Sequence, residues 1–341
     1  EKVSRVYDHV GGKFVLGYKL LVLGRFDGKM TTGCDLSLHR EKGSKGNYGL
    51  KGKELLNQSN KKRSTKNPDH IRAREADSSK IEVSLQMLVR VWSQGLRASY
   101  VLMDSWFTCA GLISGIRKIG HGAMHVLGAV KKGKTKYLYN GKQLSAKEII
   151  VRKERKRHYS RKYKSSYFHV DVTMKDQEVR LFFIQYGRNK DWHILLTTDK
   201  SLNFLKAFEL YQIRWSIEVF NKECKQYFGL GGCQSQDFNA QIADCTLCFI
   251  THMIVSVDKR FSDYETMGEL FRQMQKQLDL LTLWTRILPL IASIIELFAE
   301  MAEVKPEETM EKMLNNKMYE QKMEGILMGF MQYKQNQKVA A

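Results

Sequence analysis

The chain has 341 residues, of which 43% are hydrophobic, so it can bury a sizeable core and is not an intrinsically disordered protein. Lys and Arg number 56 against 36 Asp and Glu, which gives a formal net charge of +20. This excess predicts a basic surface whose usual partner is nucleic acid. A basic protein with no special partner is the alternative.

The first 80 residues predict a hairpin followed by a polar segment. Residues 13–24 (KFVLGYKLLVLG) have the composition of a strand, FDG at 26–28 is typical of a turn, and residues 31–39 form the returning strand. Residues 40–80 are polar and basic, which favours a loop with fragments of helix.

A strand that ends in an acid comes next. Residues 79–96 have the spacing of an amphipathic helix, and Tyr100–Met103 form a short apolar run with Asp104 directly after it. Residues 108–120 are again helical in pattern. The order predicts a strand, an acid at its carboxyl end and a helix.

The remainder divides into a β-rich segment and a helical one. Between residues 121 and 200, short apolar or alternating runs indicate strands: AMHVLGAV, SYFHVDVTM, EVRLFFIQYG and DWHILLTTD. From residue 202 onward the pattern is helical. We therefore expect an α/β core interrupted by a β-rich insertion and followed by a C-terminal helical region.

The most basic part of the chain is residues 131–164, where only Glu148 and Glu154 oppose a dense run of Lys and Arg. Four tyrosines lie within this run, at 137, 139, 159 and 163. Cations with interleaved aromatics suit a DNA backbone, so Arg155, Lys156 and Arg157 are candidate DNA contacts. A solvated, partly disordered loop is the alternative.

A stripe of functional groups lies on the segment ELYQIRWSIEVFNKECKQ, residues 209–226. As one continuous helix it would bring Tyr211, Arg214, Glu218 and Lys225 within about 60° of one another. Charges at these spacings also occur on ordinary solvated helix faces. Asp104 and Glu218, as carboxylates in a basic protein, favour a divalent metal acting on phosphate, with Arg214 and Lys225 holding phosphates.

The pattern Y-x2-R-x3-E-x6-K resembles the Y-R-E-K signature of bacterial insertion-sequence transposases of the DDE type. YVLMDSWF resembles the strand with the second Asp of that family, and ILLTTD precedes the signature as it does there. The resemblance spans roughly residues 3–255. It implies an RNase H-like core in residues 1–120 and 201–260, with the insertion at 121–200 and the helical region at 261–341.

The resemblance further implies a DNA transposase that cuts transposon ends and joins them to a target. Asp104 would be the second metal-binding catalytic carboxylate and Glu218 the third, holding two Mg2+ (or Mn2+) ions. Arg214, Lys225 and Tyr211 would contact DNA near the transposon end. The implied partners are the terminal inverted repeats and target DNA, with a homodimer in the complex, no membrane, and a cytoplasmic, nucleoid-associated location in bacteria.

Some relatives stack a flipped base on an aromatic side chain of the insertion. Trp192 is the candidate for this role, and burial in the core of the insertion is the alternative.

The first catalytic Asp of the family has no obvious counterpart. Residues 13–24 contain no Asp, Asp8 precedes them and Asp27 falls in the turn, so Asp35 is the best substitute. We expect the first Asp to lie before residue 1, and the isolated chain not to cleave DNA. The alternatives are a catalytically decayed, transposase-derived DNA-binding protein and an RNase H-like nuclease of another kind.

Overall fold

The computed structural model describes residues 1–8, 11–41, 49–50, 52–187 and 191–302, together with the single residues 305, 311, 315, 321 and 325. The chain separates into two compact units, Glu1–Asp263 and Tyr264–Ala341. Part of the predicted loop at 40–80 and part of the predicted helical region at 261–341 lie outside the described residues.

The N-terminal strands form two separate hairpins, β1 (Ser4–Asp8) with β2 (Lys13–Gly17) and β3 (Lys19–Phe26) with β4 (Thr31–His39). The predicted hairpin is confirmed as the antiparallel pair of β3 and β4, with the strand predicted at 31–39 as β4. The single strand predicted for residues 13–24 is wrong, because the chain breaks at Tyr18. The Tyr18 ring packs edge-on against Phe238, and its hydroxyl donates to the carbonyl oxygen of Glu1.

Four helices connect the hairpins to the larger sheet or cover it: α1 (Gly52–Leu56), α2 (Pro68–Glu75), α3 (Lys80–Ser93) and α4 (Ala110–Ile119). The helices predicted at 79–96 and 108–120 are confirmed as α3 and α4. Both are amphipathic, and their buried side chains include Met87 of α3 and Ile113 of α4.

An eight-stranded mixed sheet forms the centre of the first unit. Its strands are β5 (Tyr100–Met103), β6 (His125–Val130), β7 (Lys136–Tyr139), β8 (Lys142–Ser145), β9 (His158–Ser160), β10 (Ser165–Met174), β11 (Gln177–Tyr186) and β12 (Trp192–Thr197). The order is β5-β6-β12-β11-β10-β7-β8, with β9 also paired to β10. Only β5 and β6 are parallel, and every other pair in this sheet is antiparallel.

The basic segment at 131–164 is folded rather than a loop. Strands β7 and β8 lead into helix α5 (Ala146–Lys153), a 3-10 turn at Glu154–Lys156 and strand β9. A capping box between Ser145 and Glu148 starts α5, since each side chain satisfies a backbone N–H of the other residue. The interpretation of this segment as a disordered loop is therefore wrong.

Helices make up the rest of the described chain: α6 (Phe204–Gln212), α7 (Ser216–Tyr227) and α8 (Phe238–Phe261) in the first unit, and α9 (Met267–Met301) in the second. Among the described residues, α8 is the helix whose length and composition would allow it to cross a membrane. Core helices of soluble proteins share this length and composition.

Candidate active site

Asp104 lies at the open edge of the large sheet. It follows β5, whose described hydrogen-bonding partner is β6 alone. Its Oδ1 atom accepts hydrogen bonds from the backbone N–H groups of Trp106 at 2.8 Å and Phe107 at 3.3 Å. This short turn fixes the carboxylate at the strand end, while the side chain stays exposed to solvent.

The signature segment is broken in the middle. Helix α6 ends at Gln212, a 3-10 turn occupies Ile213–Trp215, and α7 begins at Ser216. A 3-10 turn winds by about 120° per residue instead of about 100°, so its three residues rotate α7 by about 60° relative to a continuous helix. The single continuous helix predicted for residues 209–226 is therefore wrong, but Arg214 still lies against both Tyr211 and Glu218. The turn packs against β5.

The back of α7 is packed on the β3–β4 hairpin. Phe220 and Cys224 are fully buried there, as their helical spacing predicts. Two glycines of the hairpin allow this close approach. A Cβ atom at Gly24 would lie 2.6 Å from Ile217 Cδ1, and one at Gly33 would lie 2.8 Å from Phe220 Cζ. The hairpin therefore holds α7 with its acidic face outward.

The charges of Arg214 and Asp104 both act on Tyr211. Burial raises the pKa of the Tyr211 phenol, the negative charge of Asp104 raises it further, and the guanidinium of Arg214 opposes both. The guanidinium carbon of Arg214 lies 5.9 Å from the centre of the Tyr211 ring. Tyr211 is thus a neutral phenol between Asp104 and Arg214.

Glu218 projects from the first turn of α7 and is 49% exposed. Arg214 Nη1 donates to Glu218 Oε1 at 3.2 Å, an i,i+4 pair. Lys225 lies two turns further along the same helix and is exposed. The structure therefore brings Tyr211 and Arg214 to the acids and leaves Lys225 as an open cation at the far end of α7.

Carboxylate oxygens are the ligands that Mg2+ prefers, and both Asp104 and Glu218 are accessible to solvent. Among the described residues, however, no cluster of three or more His, Cys, Asp or Glu side chains is arranged to hold a metal ion. The two carboxylates thus fit part of a metal site.

Asp35 is not a substitute for the missing first carboxylate. It is buried on β4, where Arg72 Nη2 donates to it at 2.7 Å and Arg90 Nε at 2.8 Å. Asp27 accepts hydrogen bonds within the turn of the hairpin and pairs with Arg260. Asp8 accepts a hydrogen bond from the backbone N–H of Gly11. Asp35, the best substitute that the sequence offers, does not fit the role because its charge is paired inside the fold.

Trp192 lies in the hydrophobic core of the large sheet. It is only 7% exposed on β12, and its ring packs edge-on against Phe168 at 5.1 Å. The predicted stacking role is therefore wrong, and the alternative, burial in the core of the insertion, is what the structure has.

Sequence analysis did not identify two exposed tryptophans that lie next to the candidate acids. Trp106, two residues after Asp104, is 51% exposed, and Trp215, between Arg214 and Glu218, is 65% exposed. Their adjacency in sequence to the acids is the signal that could have found them.

The basic side chains of Arg155, Lys156 and Arg157 are exposed at and just after the 3-10 turn that follows α5. In the described part of the chain no ion pair engages them, whereas Lys136 and Lys162 pair with Glu148 and Glu209. Tyr159, on the adjoining edge strand β9, is exposed beside them, but Tyr137 is buried in the core. This surface presents free cations and one aromatic side chain.

Comparison with protein families gives one result. The family model described as a transposase DDE domain matches residues 26–254, which include β4, Asp104, the β-rich segment and the whole signature. No curated protein matches the chain.

Proposed function

Since this chain belongs to the transposase DDE domain family, we propose that it acts by cut and paste, cleaving the ends of a DNA transposon and transferring the freed strands to target DNA. The observation that carries the proposal is the approach of the signature segment to Asp104. The 3-10 turn packs against β5, and the charge of Asp104 acts on Tyr211.

Asp104 and Glu218 would hold the divalent metal, with Mg2+ or Mn2+ as the ion and two ions in a complete site. Bound metal supplies Lewis-acid stabilisation of charge on the scissile phosphate and lowers the pKa of a bound water. The Asp104 turn presents its carboxylate already oriented, because two backbone N–H groups hold one oxygen. Oδ2 would then be the oxygen available to a metal.

Arg214 would exchange partners when DNA binds. Without DNA its guanidinium neutralises Glu218. A phosphate offers a bidentate acceptor for the same group, and a metal on Glu218 would compete with Arg214 for that carboxylate. Lys225 would add a point charge further along the strand, and Tyr211 a neutral hydroxyl beside Asp104.

The complete metal site that the family resemblance implies needs a third carboxylate. Strand β3 is paired only to β4, and β5 only to β6, among the described residues. Side chains of β3 and β5 nevertheless share one core, since Leu23 packs against the cluster that contains Met103. Among the described residues, no third carboxylate joins Asp104 and Glu218 in a cluster that could hold a metal ion.

The basic surface at Arg155, Lys156 and Arg157 would track the DNA backbone outside the site. Transposon ends come in pairs, so two copies of the chain are expected in the complex with both terminal inverted repeats. A cytoplasmic location at the nucleoid follows from the DNA substrate.

A catalytically inactive DNA-binding protein is the second candidate. One observation favours it: the described residues contain two accessible carboxylates at the site, and the best substitute for the third, Asp35, is bound to two arginines.

The test uses the protein made from its complete gene, with DNA that carries the element's own ends. Asp104→Asn and Glu218→Gln should each lower the rate of metal-dependent cleavage by more than about a hundredfold, because each removes a metal ligand. End binding, measured by mobility shift, should change by less than about twofold, since neither carboxylate contacts phosphate favourably. Glu209→Gln, on α6 and paired with Lys162, is the matched control and should cleave normally.

The outcomes separate the candidates. Cleavage that survives Glu218→Gln contradicts the proposed role of that residue. Binding of the ends without cleavage by the unmodified protein, in Mg2+ and in Mn2+, supports the inactive DNA-binding protein. The isolated 341-residue chain should bind DNA and leave it uncut.

A further inference from the structure

Trp106 lies directly beside the carboxylate of Asp104. Its side chain is 51% exposed, and its backbone N–H donates to Asp104 Oδ1 at 2.8 Å. Two residues of chain span at most about 7 Å, which is about two base steps along a nucleic-acid strand. Trp106 is therefore within reach of the nucleotides next to a phosphate held at Asp104.

The Trp106 ring is fixed by the core. It packs edge-on against Phe107, with 4.8 Å between the ring centroids. Phe107 packs in turn against the cluster that contains Val83 and Met87, both buried on α3. A ring held in this way has little freedom left to lose when a flat ligand stacks on it, so it is suited to bind a base.

Lys80, the first residue of α3, supplies a cation beside this ring. Its Nζ atom lies 5.8 Å from the centroid of the Trp106 ring. Burial and the charge of Lys19 lower the pKa of Lys80, while Glu41 opposes them. In the described part of the chain no carboxylate forms an ion pair with Lys80, whereas Lys19 pairs with Glu41. A partly buried ammonium without an acid is stabilised by a phosphate.

This pair lies on the opposite face of the large sheet from the signature segment. Adjacent residues of a strand point to opposite faces. On β5, Leu102 packs with the cluster that includes Tyr211 of the signature, whereas Met103 packs in the cluster that includes buried residues of α3 and α4. Lys80 is part of α3, so the Trp106 ring lies on the α3 side. The acid that follows β5 therefore separates the signature from the ring.

A DNA strand that passes through the site extends to both sides of the scissile phosphate. The contacts proposed for Arg214 and Lys225 take the transposon side, which leaves the α3 side for DNA outside the transposon. We propose that Trp106 and Lys80 form a subsite for this outside DNA, in which the indole stacks on a base and the ammonium contacts a phosphate. Outside DNA is the flanking sequence before cleavage and the target before joining. The inference rests on the proposed function for the position of the scissile phosphate.

The test is equilibrium binding without divalent metal, so that no DNA is cut. It uses the protein made from its complete gene and two labelled duplexes, one with a transposon end and its flanking DNA, the other ending at the cleavage point. Trp106→Leu should weaken the affinity for the flanked duplex at least about fivefold, because it removes a stacking face. The affinity for the pre-cleaved duplex should change by less than about twofold. Trp106→Phe, which keeps an aromatic face, is the matched control and should bind both duplexes normally.

A second arm distinguishes the two sources of outside DNA. Labelled target duplex is added to the complex of the protein with the pre-cleaved end, and Trp106→Leu should weaken its binding by the same factor. An effect on one DNA alone assigns the subsite to the flanking sequence or to the target. An effect on neither overturns the proposal.

Lys80→Met tests the cation. It should weaken the binding of outside DNA and lower the slope of log affinity against log salt by about one unit, since one phosphate contact is lost. Lys118→Met removes an exposed lysine at the end of α4 and should leave the slope unchanged. Equal slopes for the two variants would contradict a phosphate contact of Lys80.

Tryptophan fluorescence of the isolated 341-residue chain separates this proposal from the proposed function. A single-stranded oligonucleotide of about twelve thymidines should quench Trp106 by stacking. The difference between the unmodified chain and Trp106→Phe isolates this residue among the five tryptophans. Quenching in a protein that never cleaves DNA would support the subsite and contradict the transposase chemistry. Normal cleavage without quenching would do the reverse.

A purely structural role for Trp106 gives a different pattern. Trp106→Leu and Trp106→Phe would then lower the melting temperature alike and weaken the binding of flanked and pre-cleaved duplexes equally. That result would also overturn the proposal.

Discussion

Tyr137 belongs to the basic segment by sequence and to the core by structure. Its side chain, on β7, is 1% exposed. Its hydroxyl has no hydrogen-bond partner among the described residues. Burial raises the pKa of Tyr137 to about 12. An unpaired buried hydroxyl lowers the stability of the fold, because its bonds to water are lost without replacement.

Tyr137→Phe should therefore raise the free energy of unfolding by up to about 1 kcal/mol at neutral pH. The unfolded tyrosine titrates near pH 10 and the folded one near 12. The unfolded state thus loses its proton first, and the unmodified chain loses stability as pH rises from 10 to 12. The phenylalanine variant lacks this loss at position 137, so its advantage should grow in that range. Urea unfolding at pH 8 and pH 11 measures both effects.

Tyr159→Phe is the control, because that ring is 64% exposed and should change stability little at either pH. A Tyr137→Phe variant less stable than the unmodified chain would mean that the hydroxyl has a partner after all.

At the scale of elements, a buried ion network joins the β3–β4 hairpin to the helices that follow it. Asp35 of β4 and Glu75 at the end of α2 are both buried, and each is bound by Arg72 of α2 and by Arg90 of α3. Two carboxylates and two guanidiniums balance in charge. The network holds β4 in register with α2 and α3, and the hairpin in turn supports α7.

Arg90→Met should lower the free energy of unfolding by about 2–4 kcal/mol, because it leaves two buried carboxylates with one cation between them. Lys200→Met is the matched control. It removes a cation from the exposed pair Lys200–Glu178 and should cost less than about 0.5 kcal/mol. Chemical denaturation of the two variants measures the difference. Equal, small effects would show that the network contributes no more than a surface pair.

At the scale of the whole molecule, the net charge of +20 is the dominant property. Many cations are already engaged in ion pairs, but those of Arg155, Lys156 and Arg157 are not paired in the part of the chain that the structure describes. Charge reversal at these three residues can therefore test whether DNA binding depends on their position or only on the net charge.

Reversal of all three side chains to Glu should weaken binding to duplex DNA and flatten its salt dependence. The slope of log affinity against log salt should fall by up to about three units, since about one counterion is released per phosphate contact. Lys29, Lys118 and Lys175 are exposed on other parts of the first unit, and their reversal to Glu changes the net charge equally. Fluorescence anisotropy at several salt concentrations compares the two triple variants. Identical slopes would mean that the segment around 155–157 is an ordinary solvated surface.

The sequence by itself determined the parts of this protein that follow from local pattern. Apolar spacing located α3, β5, α4 and four strands of the β-rich segment, β6, β10, β11 and β12, and the residues of the signature indicated the family that the domain match shows. The α/β class followed from the same patterns. Tertiary structure decided the rest. The signature helix is interrupted at residues 213–215, which pack on β5, and Asp35 is buried in ion pairs with Arg72 and Arg90.

Tertiary structure also decided which aromatic side chains are exposed. Trp192 and Tyr137 are buried, whereas Trp106 and Trp215 are exposed. Local periodicity reports which face of an element is apolar. It does not report which other element meets that face, because such contacts join residues far apart in the chain.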